Sequence, residues 1–314
     1  MKRPYVPGLA ALTALAVLPV LPATTATAAP PPVGNGRIVF SRDYAVNHEL
    51  WSMNPDGSKP KNLTNTAGIQ ELSPVPSPDG KRIAFTRYGA GPDSLWVMNA
   101  DTTGLAVVPG SGDADDPAWS PDGKRLAYTC REPVSPFNGH ICVRDVTGGN
   151  SQLLTAAPAG ASDASPTWSP DGGRIVFTRY SGGSGRLLAL TLKTLSLDPL
   201  TPAVAGRHDG YPDFSPDGKQ LAFSRYENNG LGSSLYRIPA TGGAEKLIIA
   251  GPPIVNDTYL IQPAWSPDGK LIAYSAADDD GGFGTIWTVT PDGKSPTQLT
   301  FGTQTDIEPD WLLA

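Results

Sequence analysis

The sequence predicts an all-β fold: a six-bladed β-propeller of four-stranded blades, with the ring closed by the C-terminal strand completing the first blade. Three observations carry that prediction. A Ser-Pro-Asp-Gly core recurs at Ser77, Ser120, Ser169, Ser215 and Ser266, at intervals of 43, 49, 46 and 51 residues, the spacing of propeller blades. Each copy is followed by an aliphatic, small, aromatic triplet: Ile83-Ala84-Phe85, Leu126-Ala127-Tyr128, Ile175-Val176-Phe177, Leu221-Ala222-Phe223 and Ile272-Ala273-Tyr274, with Ile38-Val39-Phe40 as a sixth. The two ends complement each other, since Glu308-Pro309-Asp310-Trp311 reads as a first strand without successors and Gly36-Arg37-Ile38-Val39-Phe40 as a second strand without a predecessor.

From the N-terminus, residues 1–28 read as a secretory signal peptide: Lys2 and Arg3, an apolar run from Leu9 to Leu21, then small residues ending in Ala26-Thr27-Ala28. The run is short for a membrane span and is broken by Pro19, no cysteine follows it to carry a lipid, and no later stretch is apolar enough to cross a bilayer. Residues 29–35 form a short Pro-rich lead, and residues 36–314 form the propeller as one domain. The expected product is a secreted, soluble, extracellular monomer. Beyond the signal, 22 basic residues face 30 acidic ones, a net charge of -8, which argues against nucleic acid as a partner. The 35 glycines and 33 prolines fall at periodic turns, so they mark architecture and not disorder.

Within each repeat the turn chemistry is explicit. Proline presets φ at the second turn position, aspartate suits the third, and glycine supplies the positive φ that closes a tight hairpin. The strand before the turn carries a proline two residues ahead of an aromatic, as in Pro117 with Trp119, Pro166 with Trp168, Pro212 with Phe214 and Pro263 with Trp265; Pro74 keeps the proline but Pro76 replaces the aromatic. Proline lacks the N–H of a central strand, which places this strand at the sheet edge lining the axis. A third strand recurs as Leu50-Trp51, Leu95-Trp96, Ile141-Cys142, Leu187-Leu188, Leu235-Tyr236 and Ile286-Trp287.

The pattern of proline, variable residue, tryptophan and Ser-Pro-Asp-Gly-Lys followed by an apolar strand resembles the TolB-type, or PD40, WD40-like propeller repeat over residues 36 to 314. The resemblance implies a fold more firmly than a function, since such propellers occur in periplasmic translocation proteins, in domains fused to peptidases and in sugar-acid lyases. The separate N-terminal domain of the translocation protein is not matched here, nor is the histidine-rich metal centre of the lyases. His48, His140 and His208 fall in different repeats, and no Gly-x-Ser-x-Gly elbow is present.

Aligning the repeats sets Arg42 against Trp51, Arg87 against Trp96, Arg225 against Tyr236 and Cys130 against Cys142 where second and third strands meet. In an exported protein the two cysteines, the only ones in the chain, are expected to form a disulfide. The loops opposite the tight turns are the expected binding face. There, Glu71, Asp163, Asp209 and Asp306 each precede a strand proline by three residues, with Asp113, Asp115, Asp116 and Glu308 nearby, a candidate ligand-binding mouth for a cation or basic peptide. Solvation and local turn bonding by aspartate is the competing reading. Calcium is considered at Asp278-Asp279-Asp280-Gly281-Gly282, which lacks the ligand alternation of a helix-loop-helix site; no cofactor, metal site or catalytic residue is assigned. Tyr44, Tyr88, Tyr180, Tyr226 and Phe283 are candidate stacking surfaces. The expected function is a non-catalytic interaction module binding an envelope or secreted protein, a peptide or a glycan on the loop face, with no nucleic acid and no membrane span. The alternative is a polysaccharide lyase or hydrolase using mouth carboxylates.

Overall fold

The computed structural model describes residues 34–44, 47–89, 91–132, 135–228, 232–251, 259–277 and 284–314. The signal segment, most of the lead, the Asp278 to Gly282 loop and Phe283 lie outside them. All helical and strand structure among the described residues is β. The first sheet runs Asp306–Leu313, Asn35–Tyr44, Asn47–Met53, Lys61–Asn62, so the last strand of the chain is the inner strand of the first sheet. The second runs Gln70–Pro76, Arg82–Tyr88, Ser94–Asn99, Ala106–Gly112, and the third Ala114–Trp119, Arg125–Glu132, Ser135–Asp145, Gln152–Leu153. The final sheet runs Tyr259–Trp265, Ile272–Ala277, Thr285–Val289, Thr297–Gln298.

Six separate four-stranded sheets are not what the hydrogen bonds give. The fourth and fifth repeats share one eight-stranded sheet. Its first half is Ala161–Trp168, Arg174–Ser181, Ser184–Thr191 and Ser196–Pro199, and its second is Arg207–Phe214, Gln220–Glu227, Ser233–Pro239 and Lys246–Ile249. A single parallel pair, Gly185 with His208, joins the halves. The cause is local: Gly185 has no side chain, and a Cβ there would lie 3.3 Å from the His208 Cα, so the two backbones close to hydrogen-bonding distance. Each half is treated below as a unit, giving units one to six in chain order.

Buried clusters sit between consecutive units and explain the triplets. Val39 and Leu50 of unit one meet Ile83, Phe85 and Met98 of unit two, while Ile38 and Phe40 point the other way, to Ala264, Ala273 and Ile286 of unit six. Alternation along a strand thus puts the two large residues on one neighbour and the small one on the other. Trp311 joins the unit six cluster and donates its indole N–H to the Ala264 carbonyl at 3.1 Å, which ties the closing strand into the ring.

The turns carry one feature beyond their backbone chemistry. Gly80, Gly123, Gly172, Gly218 and Gly269 take φ of 65° to 70° as the turn requires. The serine at the start of each turn donates to the turn aspartate, for example Ser120 to Asp122 at 2.6 Å, and accepts from the backbone N–H five residues on, Arg125 at 3.0 Å. Register corrects the expected facing pairs. Arg42 stands opposite Glu49, and Trp51 opposite Phe40; Cys130 stands opposite His140, and Cys142 opposite Tyr128. The paired side chains are diagonal neighbours on one sheet face, still within reach of long side chains. Arg42, Arg87 and Arg225 accordingly lie 4.6, 4.2 and 4.4 Å from the Trp51, Trp96 and Tyr236 ring centres, and the Cys130–Cys142 disulfide spans a Cα separation of 5.8 Å.

Candidate ligand site at the propeller axis

The six inner strands each break their register at the aligned proline and the residue before it, and Asp306–Leu313 breaks it a second time near its end. The residue preceding that proline is Ser73, Asp116, Ser165, Tyr211, Gln262 or Glu308, with φ of 53°, 49°, 52°, 53°, 53° and 59°. A left-handed conformation in a residue other than glycine costs roughly 1 to 2 kcal/mol, and the proline itself disfavours other helical conformations before it. Such a bulge re-aims one side chain, and here it turns six of them toward the axis.

Five of these six are joined by hydrogen bonds into a belt. Ser165 donates to Asp116 Oδ2 at 3.1 Å, and Ser73 Oγ to Asp116 Oδ1 at 3.3 Å. The Ser73 N–H donates to Glu308 Oε2, and Gln262 Nε2 to Glu308 Oε1 at 3.1 Å. Behind the belt lies a second ring of hydroxyls, the residue that follows each triplet: Ser41, Thr86, Thr129, Thr178, Ser224 and Ser275, all buried. Ser41 donates to Glu308 and Thr86 to Asp115, at 3.1 and 3.2 Å, and Thr129 accepts from the Ser165 N–H at 3.3 Å. The Thr178 and Ser224 hydroxyls and Gln262 Oε1 are buried without a partner among the described residues.

The belt and the residues one step deeper enclose an axial cavity of about 140 Å³. Its lining includes Asp116, Glu308, Asp213 and Asp310 and, among the described residues, no lysine, arginine or histidine. Burial pushes Asp116 up to about 7, with the charges of Asp115 and Glu308 adding to it, and burial raises Glu308 as well. Burial likewise pushes Asp213 to about 7, although its carboxylate accepts from the Trp265 N–H at 2.7 Å. Asp310 is raised by burial and then by the neighbouring Asp213 charge. Burial disfavours the charged form of a carboxylate unless a cation or enough donors compensate it.

The eight carboxylates expected at the mouth divide into two groups. Glu71, Asp163, Asp209 and Asp306 are buried and stand directly opposite Arg87, Arg179, Arg225 and Arg42 on the adjacent strand. Asp163 and Asp306 each take two bonds from their arginine, at 2.6 and 2.7 Å and at 2.6 and 2.8 Å. These four are therefore ion-pair partners and not an open acidic rim. Where the arginine is replaced, the acid is replaced too: Ala114 faces Cys130, and Leu260 faces Ala276. Asp113 is exposed; Asp116 and Glu308 line the axial cavity, and Asp115 lies close enough for its charge to act on Asp116. Asp115 accepts from the Tyr88 hydroxyl at 2.5 Å and pairs with Arg131 at 3.1 Å.

The other candidates stay apart. His140 is buried and accepts from the Ala157 N–H at 3.1 Å, whereas His208 lies between Tyr180 and Tyr226 with ring centres 6.2 and 6.1 Å away. Among the described residues, no three histidine, cysteine or acidic side chains are grouped to hold a metal ion. Sequence reasoning missed Ser73, Ser165, Tyr211, Gln262, Asp213 and Asp310, although the aligned prolines mark every one of them. It also missed the hydroxyl written after each of the six triplets.

Comparison with known proteins agrees with this architecture. Over 87 residues, 28% of this chain, it is 37% identical to the Protein TolB homolog of Chlorobium luteolum, and over 69 residues, 42% identical to the Tol-Pal system protein TolB of Rhizorhabdus wittichii. The matched stretches amount to only 20% and 15% of those relatives' lengths. The crystal structure of TolB from Acinetobacter baumannii superposes with a TM-score of 0.74 at 22% identity, covering 88% of this chain and 66% of that one. The profile of the PD40, TolB beta propeller domain matches residues 22–203 and 140–313, and the chain belongs to this TolB β-propeller family.

Proposed function

We propose that the protein is an exported, non-catalytic six-bladed interaction module that receives a basic side chain of a peptide or envelope protein at the loop-side mouth of its axis. The six-blade reading rests on the buried clusters, each of which bridges consecutive units, the last returning to the first. One observation carries the functional reading: the axial cavity is lined by four carboxylates and, among the described residues, by no basic side chain. A cation entering there meets charges that burial has left costly, and neutralising them is its binding energy. At about 140 Å³ the cavity falls below the roughly 300 to 1,000 Å³ of small-molecule sites. That size suits the end of one side chain better than a sugar chain, which disfavours the polysaccharide-active alternative despite carboxyls near neutrality.

The test is titration of the mature protein with short lysine- and arginine-containing peptides, and separately with calcium, followed by calorimetry. Peptide binding is expected to weaken at least about tenfold in Asp116→Asn and Glu308→Gln, in line with loss of a charge-assisted contact. Equal affinity in wild type and both variants would remove the axial assignment. Substituting Asp163, Asp209 or Asp306 does not test it, because those changes strip arginines of their partners.

A further inference from the structure

At two seams on the tight-turn face an arginine covers a tryptophan, while at two others the equivalent Arg174 donates to the Ala240 carbonyl at 2.8 Å and Arg37 turns back to Ser52 and Asn54 of its own unit. At the seam of units two and three, Arg82, the second residue after the Ser77 to Gly80 turn, lies 4.5 Å from the centre of the Trp119 ring and donates to the Gly123 carbonyl at 2.6 Å. At the next seam Arg125 takes the same position over Trp168, 5.1 Å from its centre. At the seam of units six and one Leu271 packs on the cluster that holds Trp311. Between units five and six the equivalent position is Gln220, which lines one groove with Trp265; that tryptophan is 9% exposed, against 5% and 6% for Trp119 and Trp168. Glutamine is too short and too polar to cover an indole, and its Oε1 is taken by Arg237 Nη1 at 2.7 Å. A groove of about 660 Å³ opens there, walled by Pro216 and Gln220 on one side and by Trp265, Pro267 and Gly269 on the other.

We propose that this groove is a socket for an arginine side chain of a partner polypeptide, its guanidinium lying on Trp265 as Arg82 and Arg125 lie on their tryptophans. The repeats show what occupant this seam is shaped for. Gly269 ends its turn as Gly123 does, and so offers the corresponding carbonyl. Asp217, whose side chain is 55% exposed at the rim, carries a carboxylate whose Oδ2 meets only the exposed Lys219 ammonium, at 3.3 Å, and can accept from an entering guanidinium in its place. The basic residues lining the groove are Arg237, held by Gln220, and Lys270, whose side chain is 81% exposed and drawn to Asp268 at 3.6 Å. A planar guanidinium can stack and donate at once, which an ammonium cannot.

The experiment follows the Trp265 indole resonance of the mature protein by NMR, assigned with Trp265→Phe, during titration with N-acetyl-arginine methylamide and its lysine counterpart. The arginine probe is expected to shift that resonance with about threefold tighter binding than lysine, the size of an exposed cation–π contact. Gln220→Arg supplies the missing guanidinium from within, so the shift is expected to disappear while the melting temperature holds or rises. Arg237→Gln removes the opposing charge and is expected to tighten the arginine probe a few-fold; should Gln220→Arg fail to fold, this variant carries the test. An unmoved Trp265 resonance, arginine binding retained in folded Gln220→Arg, arginine binding lost in Arg237→Gln, or tighter binding of a carboxylate probe such as glucuronate than of the arginine probe to the wild type would each overturn the socket. Asp116→Asn and Glu308→Gln leave this response intact, so its failure and that of the axial site are separately visible.

Discussion

Raising the pH from 5 to 7 should destabilise this protein through Asp213, and Asp213→Asn should remove that effect. The ordinary aspartate value of 3.8 applies in the unfolded chain, while burial at the axis pushes the folded group to about 7. The folded state therefore binds the proton more tightly. Its contribution to stability is fully present below the unfolded value and is lost as pH rises through the window from about 4 to about 7. Between pH 5 and 7 the unfolded carboxyl is ionised while the folded one passes from protonated to about half ionised, so each pH unit costs up to about 1.4 kcal/mol, or about 2 kcal/mol in all. An asparagine keeps an acceptor for the Trp265 N–H and does not titrate. Urea unfolding at pH 5, 6, 7 and 8 should show the variant gaining about 2 kcal/mol on wild type between pH 5 and 7, then little more. Relief of Asp310, which feels the Asp213 charge, acts in the same direction. Parallel stability profiles for the two proteins would refute the reasoning.

Three further outcomes are expected. Arg179→Ala strands the buried Asp163 carboxylate and should cost about 3 to 5 kcal/mol, whereas Arg179→Ala with Asp163→Leu, which imitates the Leu260 and Ala276 of unit six, should cost much less; chemical denaturation of the three proteins measures both. Trp311→Ala should lose about 3 to 5 kcal/mol from its buried cluster, and deletion of residues 307–314 should lose more because it also unpairs the strand Asn35–Tyr44; thermal melting ranks them. Replacing Cys130 and Cys142 by serine should lower stability by about 3 kcal/mol, and a thiol assay on the native protein should find no free thiol.

The repeat period, the tight turns and the ring closure were legible in the sequence because each rests on local chemistry that recurs, so any one copy corrects the others. The Arg–acid pairs were equally legible, since Glu71, Asp163, Asp209 and Asp306 vary together with the arginines that face them. Reading the arginines only against aromatics hid this, because the diagonal neighbour was taken for the direct one. The axial belt was less accessible. Nothing in a proline motif announces that the preceding residue turns left-handed and inward, and serine, tyrosine and glutamine at those places look like unrelated surface residues. The shared eight-stranded sheet depends on a single close approach at Gly185, which no repeat pattern contains.

The pairing of Ile38 with Trp311 also sets a clock. A ribosome adds about 5 to 20 residues per second. Roughly 15 to 55 s therefore separate the appearance of the two strands at that rate. During that interval the strand Asn35–Tyr44 can pair with Asn47–Met53 on one side only, and its other edge has no cognate strand in existence. The final contact spans nearly the whole chain, so it is among the last to form. The propeller is thus an open arc for most of its synthesis, and the interval before Trp311 docks is when a chaperone or a foreign strand has its access to the first sheet.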